Sequence, residues 1–504
     1  MVPFSGYCEV AGEQIDNSVT EFEGNPVVEV PDLHTGNQQF YYLMQPVLEN
    51  HERIQGARQA VEMARESIGI ALGVRYPNLQ AVGEWGYRNE DKTNDEEDFS
   101  DSFSNLNLSL TQMLYDFGKS NAGIGQTRLQ LRERELDLKK TKRKLILDAA
   151  VAYQNLHKNY MLLQYALEAE KTALDKVDRE RSRASLIGEK TDLKELEYQL
   201  VETIAKRIQT EGDYQLAQNI WVEFFGALPD DTRSLKSLNL SLTVAEKPES
   251  MNEALDTAKE NNIDIQIARN QEALVALTLK QEKKKAFFPD INLVMDSSFE
   301  NNLRDASGKM DTYRAMVEVR KNINLGLSDK HRIGAAQRLV EKERYEMADQ
   351  LRIVETETRN AWQRLATSKV YNDTLAHQVT LTADLLDMAR REHETGGDKT
   401  IMDILAGETN LIRARSESYA AQIDISLATL GLFGAMDILD MDMFAVAENE
   451  ESSSAPLLDY TNFLNSNQLY ENVHDLSDAS FFQFAYDGQA GYYELFNLGQ
   501  KNPE

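Results

Sequence analysis

The stretch Pro77-Asn78-Leu79-Gln80-Ala81-Val82-Gly83-Glu84-Trp85-Gly86-Tyr87-Arg88 is where the chain changes period. Upstream, residues 43–75 carry helical spacing with few breakers, and Pro77 ends that helix. Downstream, Leu79, Ala81, Gly83, Trp85 and Tyr87 alternate with Gln80, Val82, Glu84 and Arg88. Such alternation predicts a strand with one apolar and one polar face. A polar loop follows over 89–102. Leu106, Leu108 and Leu110 then alternate with Asn105, Asn107 and Ser109, which predicts a return strand.

The same order of signals comes again further on. Helical spacing over 251–285 stops at Pro289, and Ile291, Leu293, Met295 and Phe299 alternate with Asn292, Asp296 and Ser298. After a loop at 300–309, Tyr313, Ala315, Val317 and Val319 alternate with Arg314, Glu318 and Arg320. Other landmarks recur in step. Glu49-Asn50 with Ile54-Gln55 and Ala57-Arg58 returns as Glu260-Asn261 with Ile265-Gln266 and Ala268-Arg269. Gly188, Lys190 and Thr191 return as Gly397, Lys399 and Thr400, and Phe225-Gly226-Ala227 as Phe433-Gly434-Ala435. The chain therefore reads as two copies of a unit of about 210 residues. The first spans 43–232, with strands over 78–88 and 103–114 and helices over 119–182 and 191–225. The second spans 233–442, with strands over 290–300 and 311–321 and helices over 334–394 and 400–433. Residues 1–42 are an N-terminal extension and 443–504 an acidic, aromatic tail.

Each return strand leads into a very long helix. No proline occurs between Lys119 and Arg181, and an unbroken helix of that length reaches roughly 95 Å. Ile146, Ala149, Tyr153, Leu156, Tyr160, Leu163, Leu167, Glu170, Leu174 and Val177 step by threes and fours, a coiled-coil seam broken only by Glu170. Leu193, Leu196, Leu200, Ile204 and Ile208 are the inward positions expected of its partner.

Composition narrows the function. Among 504 residues, 83 acidic side chains outnumber 54 basic ones, for a net charge of -29, which argues against a nucleic-acid binder. The single cysteine, Cys8, excludes an internal disulfide framework and a Cys-rich metal site. No window of 18 apolar residues predicts a transmembrane helix. The first ten residues show neither the basic nor the apolar run of a secretory leader, and Cys8 reads as a free thiol or as a lipid-anchored cysteine. The strands nevertheless have the length of tilted membrane strands, with aromatics at both ends: Tyr76, Tyr115, Phe117, Phe287 and Phe288 on one side, Trp85, Tyr87, Phe99, Phe103, Phe299 and Tyr313 on the other. Four strands cannot close a barrel and lipid forbids an open edge, so a barrel must be shared. Three chains would give twelve strands. The fold class expected is mostly α with a membrane β-barrel, twelve-stranded in a trimer.

Pro77 before the first strand, the exit Leu114-Tyr115-Asp116-Phe117-Gly118, the run Gly397-Asp398-Lys399-Thr400-Ile401-Met402-Asp403-Ile404-Leu405, and the paired Phe-Gly-Ala ends resemble the TolC-like outer-membrane channel family. The likeness covers about 43–440. It implies a homotrimeric exit duct across the outer membrane and periplasm, for efflux or type I protein secretion. The implied partners are a periplasmic adaptor and an inner-membrane ABC or RND transporter, with outer-membrane lipid around the barrel and no nucleic acid. It also implies that the helix reversals, Leu186-Ile187-Gly188 and Gly396-Gly397 with Thr400, dock the adaptor. Lys399 and Asp403, four residues apart and so on one helical face, become the gate: Asp403 would form a ring of carboxylates and Lys399 would tie hairpins shut. Ala406 stands where the family carries a second acid. The second strand exit, 322–329, lacks the Phe-Gly pair of the first.

No catalytic residue, cofactor or metal site is expected. The seven histidines show no paired ligand spacing, and Gly396-Gly397-Asp398-Lys399-Thr400 lacks the core of a phosphate loop. The competing reading is a soluble coiled-coil scaffold with no transport role, which would need no detergent. The tail reads as a partly disordered acidic extension, or as an aromatic and acidic arm packed around the equator of the helical tunnel or touching a partner.

Overall fold

The computed structural model describes residues 27–28, 30–31, 33, 35–90, 99–187, 191–239, 248–302, 308–398 and 401–445. In chain order the elements are β1 (Val27–Val28), α1 (Gly36–Asn50), α2 (Glu52–Gly73), β2 (Asn78–Glu90), β3 (Phe99–Tyr115), α3 (Lys119–Ile187) and α4 (Thr191–Phe225). There follow β4 (Leu228–Pro229), α5 (Met251–Asn261), α6 (Ile263–Phe287), β5 (Asp290–Asn301), β6 (Lys309–Arg320), α7 (Ser328–Glu394) and α8 (Ile401–Met436). Residues 446–504 lie outside the described residues, so the tail is described only at its first residues, 443–445.

Where the sequence predicts one helix over 43–75 and one over 251–285, the structure has two each time. His51 and Asn262 adopt extended backbone (ψ 133° and 125°) and cap the second helix of each pair. The His51 Nδ1 accepts the Arg53 amide, and the Asn262 Oδ1 accepts the amides of Asp264 and Ile265. Such side-chain acceptors satisfy amides that a helix start leaves without partners. The first helix of the chain also begins before residue 43. Thr35 and Gln38 form a capping box, and Phe40 and Met44 are buried.

The four long strands make one antiparallel sheet in the order β2-β3-β5-β6. Helices α3 and α7 leave it with 69 and 67 residues, about 100 Å each at 1.5 Å per residue. They turn back as α4 and α8 and pack on them as two hairpins. The core lies midway along α3. Phe40 meets Tyr153 edge-on and Phe444 at 4.6 Å, and Tyr153 meets Trp221. The buried Tyr153 hydroxyl donates to Gln39 Oε1 (2.9 Å) or to the Lys236 carbonyl (3.0 Å), as a buried phenol must. Phe444 brings the chain after α8 into this core.

The seam read from the heptads holds in part. Ile146, Ala149, Tyr153, Leu156 and Val177 are buried, but Leu167 and Leu174 are open, and on α4 Ile208 is 56% exposed. Glu170, the polar break, pairs with Arg207 Nε of α4 at 2.6 Å. Contrary to the reading that no helix could cross a membrane, Met402–Met436 is long and apolar enough by length and composition. Its apolar side chains have partners within the chain: Ile412, Ala421, Ile423, Leu430 and Phe433 are buried, and the helix packs on α7 and α3.

Candidate functional site

Register fixes which side chains share a face of the sheet. Leu79, Ala81 and Gly83 pair with Leu110, Leu108 and Leu106, which in turn pair with Met295, Ser297 and Phe299. Met295, Leu293 and Ile291 pair with Ala315, Val317 and Val319. One face is therefore a largely apolar band, interrupted by Ser297 and Gln112, with the exposed aromatics Trp85, Tyr87 and Tyr313 toward one end. The other face carries Gln80, Glu84, Asn105, Asn107, Ser109, Asp296, Arg314 and Glu318. On it, Ser109 Oγ donates to Asp296 (2.7 Å), Arg314 reaches the same carboxylate (2.7 Å), and Asn105 Nδ2 donates to Glu84 (3.2 Å). Strands β2 and β6 are the sheet's edges. Alternate wetting of the two faces suits a wall between lipid and water.

Of the reversal residues, Gly188, Lys399 and Thr400 lie outside the described residues, and Leu186 and Ile187 are the last two residues of α3. The second reversal is built as a Schellman turn: Gly396 takes φ 79°, and the Gly397 amide donates to the Glu392 carbonyl at 2.8 Å. A side chain at Gly397 would meet Glu392 Cγ at 2.5 Å, and one at Gly396 would be strained by its φ. Asp403 is exposed in the first turn of α8.

The structure adds a cluster that heptad spacing does not reveal. Lys176 of α3, its side chain 7% exposed, stands 3.0 Å from Glu408 of α8 and donates to the Leu405 carbonyl at 3.1 Å. Arg390 of α7 donates to the other Glu408 oxygen at 2.7 Å. Three helices from both hairpins thus meet at one carboxylate, a few turns from the reversals. Burial pushes the Lys176 amine down from its usual value, against the pull of Glu408. For Glu408 burial acts upward, but hydrogen bonds and charge from Arg390 and Lys176 hold the carboxyl below its usual value. The one sequence signal was a lysine beside the seam residue Val177.

A second contact between hairpins is neutral. His157 Nε2 lies 2.7 Å from the Tyr419 hydroxyl, and its buried Nδ1 has no hydrogen-bond partner in the structure. Burial lowers the imidazole's pKa and pushes the Tyr419 phenol up to about 12. The sign follows by linkage: an unfolded chain takes up a proton at the ordinary histidine value while the folded chain still refuses it, so stability falls on acidification. Melting between pH 7.5 and 5.5 should drop more steeply for the parent than for His157→Gln; equal slopes would remove His157 from the acid response.

No group of three or more His, Cys, Asp or Glu side chains able to hold a metal occurs among the described residues.

Residues 43–219 match the family described as outer membrane efflux protein. No curated protein sequence matches the chain. Among solved structures, the fold is similar to the outer membrane protein VceC of Vibrio cholerae, at 16% identity and TM-score 0.66, covering 79% of this chain and 96% of that one. It is similar to the CmeC outer membrane channel of Campylobacter jejuni, at 14% identity and TM-score 0.67, covering 88% and 95%. The open state of the MtrE outer membrane channel of Neisseria gonorrhoeae matches at 16% identity and TM-score 0.66, covering 87% and 98%.

Proposed function

We propose, from the outer membrane efflux protein match over 43–219 and a fold shared with outer membrane channels, that the chain is an exit duct of the bacterial outer membrane. The observation that carries this reading is the sheet: one apolar face, one polar face, two open edges, and 100-Å-scale helices leaving the end marked by Tyr76 and Phe288. Three copies would close twelve strands around a wet lumen, since lipid tolerates no unpaired edge. The helices would continue the duct through the periplasm. The repeated element order supports two tandem units, 43–232 and 233–442, between the N-terminal extension and the tail.

In this reading the duct accepts cargo handed on by an inner-membrane transporter through a periplasmic adaptor, in efflux or type I protein secretion. The adaptor would dock at the reversals, Leu186-Ile187-Gly188 and Gly396-Gly397 with Thr400. Asp403 would ring the entrance with carboxylates and Lys399 would hold neighbouring hairpins together. The knot that Glu408 and Arg390 form around the buried Lys176 would set the hairpins' closed arrangement within each chain.

Purified protein in planar bilayers tests the assignment. Trimer-sized particles with discrete conductance are expected, and Asp403→Ala should weaken divalent-cation block while leaving the open conductance in place. A detergent-independent protein with no conductance would return the scaffold reading. Unchanged block in a conducting Asp403→Ala duct would remove the gate assignment alone.

A further inference from the structure

On the polar face of the sheet, Glu84 of β2, Asn105 of β3 and Glu300 of β5 form one row, because Asn105 pairs across the sheet with both acids. The row lies toward the end of the sheet away from the helices, with Glu300 one residue before the end of β5. Asn105 is 7% exposed. Its Nδ2 donates to Glu84 Oε2 at 3.2 Å, while its buried Oδ1 meets no hydrogen-bond donor among the described residues. Glu300 is buried as well, and its Oε1 accepts from Ser298 Oγ at 2.8 Å. A buried amide oxygen that no donor reaches is costly and calls for a partner of another kind.

A neighbouring row shows how the same face satisfies a carboxylate with protein donors. Asp296 accepts from Ser109 on one oxygen and from Arg314 on the other, both at 2.7 Å. Opposite Glu300, β6 supplies Met310 where it supplies Arg314 to Asp296. Turning the Asn105 amide over does not remove the conflict. With Nδ2 committed to Glu84 on β2, Oδ1 turns toward β5; exchanged, it would face Glu84 instead. Either way an amide oxygen meets a carboxylate, and both are acceptors. A cation between them turns that meeting into an attraction.

We infer that this row binds a divalent cation of the calcium and magnesium class. Asn105 Oδ1 and the Glu300 carboxylate are its protein ligands, and water fills the remaining positions. Glu84 holds the amide and adds a second negative charge beside the ion. Ligands made only of oxygen select such hard cations over zinc or copper. The set has two acids rather than three, and so few protein ligands imply weak binding, about 10⁻⁴–10⁻³ M. Strand β3 belongs to the first half of the chain and β5 to the second, so the ion ties the halves together at the far end of the sheet. Both strands are central, the site is complete within one copy, and it stands independently of the duct reading.

Calorimetric titration of the detergent-solubilised full chain with calcium chloride tests the site, in an Asp403→Ala background that removes the proposed gate carboxylates. Asn105→Leu should lose the saturable calcium binding of the parent. Asn107→Leu, which alters an amide on the same face that pairs with Val82 and Ser298, should keep it. Asn105→Asp adds a charged ligand and should tighten calcium about tenfold, since ligand charge tunes such sites. A damaged fold cannot produce that gain. The site is overturned if Asn105→Asp binds no tighter than the parent, or if Asn105→Leu still binds like it. The ions would then sit elsewhere on this acidic chain, and Oδ1 would be left to solvent or to a carboxyl proton. An absence of saturable binding in the parent overturns it too, and none of these results touches the duct reading, which conductance decides.

Discussion

Leu108→Arg should prevent stable membrane assembly, whereas Asn107→Arg, one residue away, should be tolerated. Leu108 pairs across the sheet with Ala81 and Ser297 on the apolar face, and Asn107 pairs with Val82 and Ser298 on the polar one. Because side chains on a strand alternate faces, neighbouring positions sample opposite solvents. An arginine held against hydrocarbon costs about 2–4 kcal/mol near the middle of the bilayer, and a lumen-facing one costs little. In an oligomer each copy carries that penalty, so the effect should read as loss of the assembled band rather than as a small shift. The measurement is the fraction of protein in the outer-membrane pellet and the temperature at which the oligomer dissociates. Equal behaviour of the two variants would mean that both faces are wet, and the sheet would then belong to a soluble protein.

That contrast is available because the strands are legible from the sequence. Pro77 and Pro289 stop helices, and the period then changes from 3.6 to 2, a local signal that needs no tertiary partner. The resemblance carried by residues such as Tyr115-Asp116-Phe117-Gly118 is matched by the family found over 43–219. Less was legible where neighbours decide. The break at His51 depends on an imidazole capping the next helix, a role no propensity assigns to histidine. Leu167, Leu174 and Ile208 fit the heptads and still stand open, since a seam is buried only where another helix lies over it. Likewise Lys176 lies off the seam but is buried by α8, whose position is set by the fold as a whole. The gate pair was read from four-residue spacing together with the family resemblance, and Lys399 lies outside the described residues, so the gate stays with the proposed function.

The largest single-residue effect on the helical part is expected at Glu408. Removing it by Glu408→Ala strips Lys176 of its counter-ion but leaves the amine buried, with the Leu405 carbonyl as its one remaining partner among those described above. Breaking a buried pair in this way costs about 3–5 kcal/mol, and the lower end applies here because Glu408 keeps 27% of its side chain exposed. Replacing the lysine as well, in Lys176→Met with Glu408→Leu, removes the stranded charge and fills its space with carbon. Stability should then return to within about 1–2 kcal/mol of the parent, since well-packed apolar pairs rival buried ion pairs. Arg390, half exposed, loses only a surface partner in both variants, so it contributes little to the difference. Denaturant unfolding of the helical signal measures both. If the knot also sets the hairpins' closed arrangement, the double variant should conduct with a raised open probability even though its stability has recovered. That separation distinguishes a latch from a packing contact. A restored stability together with parental gating would leave Lys176 and Glu408 as structure alone.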